Sequence, residues 1–118
     1  MTIALVLVAV VALIHVYFLV LEMFLWTRPT GRRIFGTTPE FAEASKALAA
    51  NQGLYNGLLA AGLAWGVGLG ADGLAVQTFF LACVIVAGVY GAFTVSRKIL
   101  LVQALPAAVA LAAVWLLR

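Results

Sequence analysis

The sequence contains little charge, one cysteine and one histidine. Only 9% of its 118 residues are Asp, Glu, Lys or Arg, 66% are hydrophobic, and the mean hydropathy is +1.18. A soluble domain needs more charge than this to cover its surface. The lone cysteine, Cys83, excludes an internal disulfide and any CxxC motif, and the lone histidine, His15, excludes a bis-histidine haem within one subunit. This composition indicates an integral membrane protein.

The apolar residues fall in four segments, at about 2–26, 47–68, 74–95 and 99–117. Each is long enough, at 1.5 Å per helical residue, to cross a hydrocarbon core of about 30 Å. No Lys or Arg precedes the first segment, so we interpret it as a retained transmembrane helix rather than a signal peptide. The predicted fold is all-α: a single four-helix membrane bundle over residues 1–118, with a loop at 27–46.

The few basic residues are distributed unevenly between the loops. The loop between spans two and three carries only Asp72, and Arg118 follows the fourth span. The positive-inside rule therefore places both termini outside and both basic loops in the cytoplasm. Because the basic residues adjoin the membrane, the expected partner is the lipid bilayer and not nucleic acid. Six of the seven basic residues lie in the other two loops: Arg28, Arg32, Arg33, Lys46, Arg97 and Lys98.

The first basic loop contains local signals for the start of the second helix. Thr37 or Thr38 can cap a helix, and Pro39 suits its first position. Gly31 and Gly36 indicate irregular backbone before that start. The second helix is therefore expected to begin near Pro39 and to continue unbroken into the membrane.

Four hydrogen-bonding residues stand together in the second helix. At 100° per residue, Asn51, Gln52, Tyr55 and Asn56 fall within an arc of about 140°. Polar groups facing lipid cost several kcal/mol each, roughly, so this arc is expected to face the bundle interior and to bind a ligand. Beside it runs a seam of small residues that we interpret as a packing surface: Gly53, Gly57, Ala60, Ala64 and Gly68.

The first helix carries two ionisable residues on one face, His15 and Glu22. Ionisable groups inside a span are costly and indicate a functional site, so both are candidates for proton exchange. Two alternatives remain open: Glu22 pairs with Arg97 or Lys46, and His15 makes one interhelical hydrogen bond. A metal site of His15, Glu22 and Cys83 has no geometric support, and no metal or cofactor is predicted.

The third and fourth helices add polar residues at a similar depth. Tyr90 and Thr94 lie in the cytoplasmic half of the third helix, and Gln103 lies near the cytoplasmic end of the fourth. Pro106 removes the hydrogen bond to the Val102 carbonyl. Either the freed carbonyl lines a cavity beside Gln103, or the proline only kinks the helix. All four spans thus predict a polar pocket in the cytoplasmic half of the bundle, with His15 at its floor.

A family resemblance is carried by two segments, HVYFLVLEMFLWTRPTGRRIFGTTPEFAE and LAANQGLYNGLLAAGLAWG. They resemble the small bacterial membrane proteins known as domain of unknown function 1304, in which LEMFLW-type and ANQGLYNG-type segments recur. The resemblance covers essentially the whole chain and implies four transmembrane helices in a bacterial inner membrane, without an established activity. The family's best marked positions are matched by Glu22, Asn51, Gln52, Tyr55 and Asn56.

Three functions are compatible with such a pocket. The first is proton-linked transport of a small molecule, for which so narrow a bundle is expected to need a homodimer. The second is a membrane enzyme or binding protein for a lipid-soluble ligand such as a quinone, isoprenoid or lipid, with Glu22 and His15 as acid and base. The third is a structural accessory subunit whose polar residues only join helices. We favour the first over the second, and both over the third.

Overall fold

The computed structural model describes residues 2–117, and helices make up all of their regular structure. The all-α prediction is therefore confirmed. Met1 and Arg118, the latter counted above on the outer side, lie outside the described residues. The elements in chain order are α1 at Ile3–Met23, α2 at Pro29–Phe35, α3 at Pro39–Leu69, a 3-10 turn at Gly70–Gly73, α4 at Leu74–Thr94, a π-helical turn at Leu100–Ala104, and α5 at Leu105–Leu116.

The long helix α3 begins where its local signals predict. Its first residue is Pro39, and the Thr38 hydroxyl oxygen accepts a hydrogen bond from the Phe41 backbone N–H at 3.1 Å. The cap satisfies one of the four backbone donors left open at a helix start, and Pro39 has no such donor to satisfy. The predicted start of the second helix is confirmed.

The backbone before α3 is more regular than predicted. Gly31 lies inside α2 and is buried, so the prediction of irregular backbone at this glycine is wrong. A Cβ on Gly31 would lie 1.8 Å from the Leu25 carbonyl oxygen, which means that only glycine allows α2 to pack this closely. Helix α2 ends at Gly36, whose φ of 67° is left-handed, as expected of an irregular position.

The described residues form two compact units. The smaller unit is His15–Leu58, and the larger unit comprises residues 2–14 and 59–117. In the smaller unit, α1 and α3 run antiparallel, because Leu19 meets Gly57 while Met23, farther along α1, meets Gly53, earlier on α3. Trp26, just after α1, continues this direction by bonding to Ser45.

The larger unit is built from antiparallel helix pairs. Gly62 of α3 faces Phe80 of α4, and Gly66 faces Gln77, so the 3-10 turn reverses the chain. Helices α4 and α5 are also antiparallel, and the Trp115 indole N–H donates to the Thr78 hydroxyl at 3.1 Å. The core between the elements consists mainly of small and β-branched residues: Ala4, Val8, Val11, Ala12, Leu63, Leu81, Val84, Ala107, Ala110, Ala113 and Val114.

Two helical stretches of the described chain are long and apolar enough to cross a membrane. They are Ile3–Met23 and Pro39–Thr94, the second of which contains both α3 and α4. The shorter apolar stretch Leu100–Leu116 contains the π-helical turn and α5. In that turn the Leu105 N–H bonds to the Leu100 carbonyl, five residues back, and the wider turn accommodates Pro106 directly after it.

The turn between α3 and α4 is held by a buried glutamine. Gln77 is 3% exposed, and its side-chain N–H groups donate to the carbonyls of Gly66 at 2.7 Å and Gly70 at 3.2 Å. We expect Gln77→Leu to lower the free energy of unfolding by about 1–2 kcal/mol, because both hydrogen bonds are lost. SDS-induced unfolding in mixed micelles, followed by circular dichroism, measures this change. The matched control is Gln52→Leu at an exposed position of α3, where a loss of the same size would contradict the prediction.

Candidate polar site

The centre of the candidate site is a hydrogen bond between α1 and α3. The Asn56 side-chain N–H donates to a carboxyl oxygen of Glu22 at 2.5 Å. Asn56 is 5% exposed and Glu22 is half-buried, so the contact is largely shielded from the surroundings. The structure thus joins two residues that lie 34 positions apart and that the sequence placed in the same pocket.

Two glycines of α3 allow Glu22 to reach Asn56. A Cβ on Gly53 would lie 3.2 Å from the Glu22 Cβ and 2.6 Å from a side-chain carbon of Met23. A Cβ on Gly57 would lie 2.6 Å from a methyl carbon of Leu19. The two helices therefore approach through small residues, and the packing interpretation of the seam is confirmed at both glycines. It is wrong at Ala64 and Gly68, which are exposed, because beyond Ala60 the packed face of α3 passes to Gly62, Leu63 and Gly66.

One alternative partner for Glu22 is occupied elsewhere. The Lys46 ammonium contacts a carboxyl oxygen of Glu43 at 2.5 Å, one turn away on the exposed side of α3. Among residues 2–117 the structure contains this one salt bridge. The alternative in which Lys46 pairs with Glu22 is therefore wrong, because the geometry of α3 gives Lys46 a nearer carboxylate at i−3.

The polar arc of α3 divides between two environments. Asn56 is buried, but Asn51, Gln52 and Tyr55 are exposed, Tyr55 to 62%. The expectation that all four face the interior is wrong for these three. The physical reason is that Ala49, Gly53, Asn56 and Ala60 form the packed face, and helical spacing turns the other three polar residues away from it.

His15 lies on α1, two turns before Glu22, and is fully buried. Its ring contacts Phe18 edge to face, with the ring centres 5.4 Å apart. Seven residues of α-helix place His15 and Glu22 about 10 Å apart along the axis, too far for direct proton transfer between them. A water chain or a bound molecule would have to connect them.

The polar residues of α4 and of the π-helical turn belong to the larger unit. Tyr90 is 70% exposed. Thr94 is also exposed, and its hydroxyl donates to the Tyr90 carbonyl at 2.8 Å, so its hydrogen-bonding capacity is used within its own helix. Gln103 is half-buried in the π-helical turn. As ligand-binding residues, these three remain a prediction.

The sequence reasoning missed one polar residue with a cavity beside it. Gln77 adjoins a cavity of about 190 Å³ in the larger unit, with mostly apolar walls. The sequence does indicate this residue, because a glutamine stands inside the apolar stretch LAVQTFFL in the same way as the four polar residues stand in α3. The other lining residues are Thr2, Ala4, Leu5, Gly70, Ala71, Leu74 and Val114.

The chemistry of the Glu22–Asn56 contact is that of a carboxyl group held by one amide. A carboxyl group exchanges a proton, or binds a cation when ionised, whereas an amide does not titrate at ordinary pH and here serves to orient the carboxyl group. Within residues 2–117, no three His, Cys, Asp or Glu side chains are grouped as metal ligands.

Comparisons with known proteins extend over nearly the whole chain. A family model described as "Protein of unknown function (DUF1304)" matches residues 9–115. The chain is 35% identical over 95 residues to a protein of Lactococcus lactis subsp. lactis (strain IL1403) named "Uncharacterized protein YpaA", covering 79% of this chain and 80% of that protein. No solved structure matches the chain.

Proposed function

The chain belongs to the DUF1304 family of proteins of unknown function, and we propose that it is a proton-linked transporter of a small molecule, centred on Glu22 and Asn56. In this proposal it is a single four-span domain of the bacterial inner membrane. The observation that carries the proposal is the Glu22–Asn56 hydrogen bond, a carboxyl group held between two apolar helices.

Membrane location is supported by the distribution of apolar side chains. Large apolar residues face outward, with Phe93 87% exposed, Leu116 80% and Leu48 74%, while small residues fill the core. Water would penalise so much exposed apolar surface, and lipid does not. Only 22% of the apolar window of α1 is buried, less than a helix in a soluble core needs.

The proposed orientation has both termini outside and both basic loops in the cytoplasm. It is supported by the charge distribution and by the position of α2, which carries Arg32 and Arg33 and begins six residues after the end of α1. Glu22 is the second-last residue of α1, so in this orientation it lies near the cytoplasmic end of its span. A carboxyl group at this depth can exchange protons with the cytoplasm.

Transport is tested in proteoliposomes that contain a fluorescent pH indicator. A pH gradient is imposed, and cationic and neutral small molecules are added one at a time. We expect at least one compound to accelerate the internal pH change, and Glu22→Gln to slow that response at least about tenfold, because the amide cannot carry the proton. Circular dichroism checks that the variant remains folded.

The matched control is Glu43→Gln, which removes a carboxylate paired with Lys46 on the exposed side of α3. This control is expected to keep the wild-type response. Equal losses in the two variants, or no compound that moves protons, would contradict the proposal. A Glu22→Gln variant that does not fold would instead support a structural role for this residue.

A second function is favoured by the exposed residues Asn51, Gln52 and Tyr55. In a bilayer their polar groups would face the side from which a quinone, an isoprenoid or a lipid arrives. Glu22 and His15 would then serve as acid and base. Photolabelling of α3 by a photoactivatable quinone, with no proton movement in the liposomes, would favour this function over transport.

A further inference from the structure

The short helix α2 is packed against its neighbours in the smaller unit. Gly31 rests on the Leu25 carbonyl, and the ring centres of Trp26 and Phe35 lie 4.9 Å apart. The Trp26 indole N–H also donates to the Ser45 hydroxyl of α3 at 3.1 Å. These contacts give the basic residues of α2 a fixed position at the ends of α1 and α3.

Three arginines in and beside α2 have no acidic partner. Residues 2–117 contain the one salt bridge between Lys46 and Glu43, so Arg28, Arg32 and Arg33 carry uncompensated charge. Three positive charges within six positions repel one another and attract an anion.

Arg32 differs from the other two because part of its guanidinium group is buried. Its side-chain Nε is shielded from solvent and has no hydrogen-bond partner. The Arg32 backbone is held in place, since its carbonyl accepts hydrogen bonds from the N–H groups of Gly36 and Thr37. A permanently charged donor that is buried and unsatisfied is costly, and such groups normally have a partner.

We propose that Arg32, assisted by Arg28, binds the phosphate group of an anionic ligand. A guanidinium fork matches phosphate geometry, and Nε is one of the donors of that fork. The lipid form of this ligand, an anionic phospholipid headgroup, rests on the proposed membrane location; a soluble phosphate compound does not. Ile34 and Phe35, 47% and 38% exposed, supply an apolar surface beside the arginines that suits acyl chains.

A simpler explanation of these arginines is that they only orient the chain in the membrane. That role depends on the number of positive charges and not on which arginine supplies them. A binding site depends on Arg32 in particular. Variants that remove the same charge from Arg32 and from Arg33 therefore separate the two explanations.

The test measures thermal stability of the purified full chain in detergent by circular dichroism. Phosphatidylglycerol, phosphatidylcholine and inorganic phosphate are added separately. We expect phosphatidylglycerol to raise the Tm of the wild type and phosphatidylcholine to leave it unchanged. A shift of equal size with inorganic phosphate would assign the site to soluble phosphate compounds, whereas no shift with phosphate would assign it to the lipid.

Three variants show whether the response belongs to Arg32. Arg32→Gln is expected to lose the shift without a fall in the Tm of the unliganded protein, since it removes an unsatisfied buried donor. Arg32→Lys keeps the charge but lacks Nε, and is expected to lose most of the shift. Arg33→Gln, on the exposed side of α2, is expected to keep most of it.

The proposal is overturned if Arg32→Gln and Arg33→Gln lose the shift equally, or if phosphatidylcholine stabilises the wild type as much as phosphatidylglycerol does. An Arg32→Lys variant that responds fully would also overturn it, because charge alone would then suffice. These outcomes do not depend on proton movement, so they leave the transport proposal to its own test.

Discussion

Gly31→Ala is expected to detach α2 from Leu25, which lies two residues after the end of α1. The added Cβ would lie 1.8 Å from the Leu25 carbonyl oxygen and 2.6 Å from its carbon, and both are backbone atoms that cannot move aside alone. The helix must shift as a whole, and overpacking of this kind costs about 3 kcal/mol. A seven-residue helix is not stable without its packing, so α2 is expected to open locally.

Hydrogen exchange measured by mass spectrometry over residues 24–41 tests this prediction. A cost of about 3 kcal/mol corresponds to an increase of roughly a hundredfold in the exchange rate of the α2 amides. The control is Thr30→Ala, at an exposed neighbouring position of the same helix, which is expected to leave exchange close to that of the wild type. Unchanged exchange in Gly31→Ala would show that α2 is not held by this contact.

The contrast between α2 and α3 shows what the sequence can predict near the first loop. The start of α3 depends on neighbouring residues, Thr38 and Pro39, whose local preferences suffice to identify it. Helix α2 depends on a contact between Gly31 and the carbonyl of Leu25, six residues earlier, outside the helix. A glycine inside a helix and a glycine in a loop look the same in the sequence, so α2 was missed.

The polar arc of α3 shows a similar limit. Helical periodicity correctly places Asn51, Gln52, Tyr55 and Asn56 near one another, but it does not determine which edge of the arc packs against α1. That choice is made by Gly53, where an added Cβ would lie 3.2 Å from the Leu19 carbonyl oxygen of α1, and Asn56 lies three residues farther along the same face. Near Asn56, the small residues Gly53, Gly57 and Ala60 therefore indicate the buried face better than the polar residues do, whereas Ala64 and Gly68 of the same seam are exposed.

For the helix distortion at Pro106, the sequence predicts the position but not the kind of turn that forms. Because Pro106 has no backbone N–H, a disturbed helix is predicted here, and the structure contains a π-helical turn at Leu100–Ala104. This turn brings the Ala104 backbone against Gly88 of α4. Gln103 is the preceding residue, so the contact at Gly88 also fixes the position of one predicted ligand-binding residue.

Gly88→Ala is accordingly expected to destabilise the contact between α4 and the π-helical turn. A Cβ on Gly88 would lie 2.7 Å from the Ala104 nitrogen and 2.9 Å from its Cβ, which forces the two elements apart. We expect the free energy of unfolding to fall by about 2–3 kcal/mol, because the clash outweighs the gain in helix propensity. SDS-induced unfolding in mixed micelles measures the loss.

Gly91→Ala is the matched control, one turn later on the same helix. Its Cβ would approach only the side chain of Ile99, at 3.1 and 3.3 Å, and that side chain can move by a few tenths of an ångström. The gain in helix propensity, about 1 kcal/mol, is expected to offset this adjustment, leaving stability nearly unchanged. If both variants lose the same stability, the contact of Gly88 with the Ala104 backbone does not set the distance between α4 and the π-helical turn. The position of Gln103 would then have another cause.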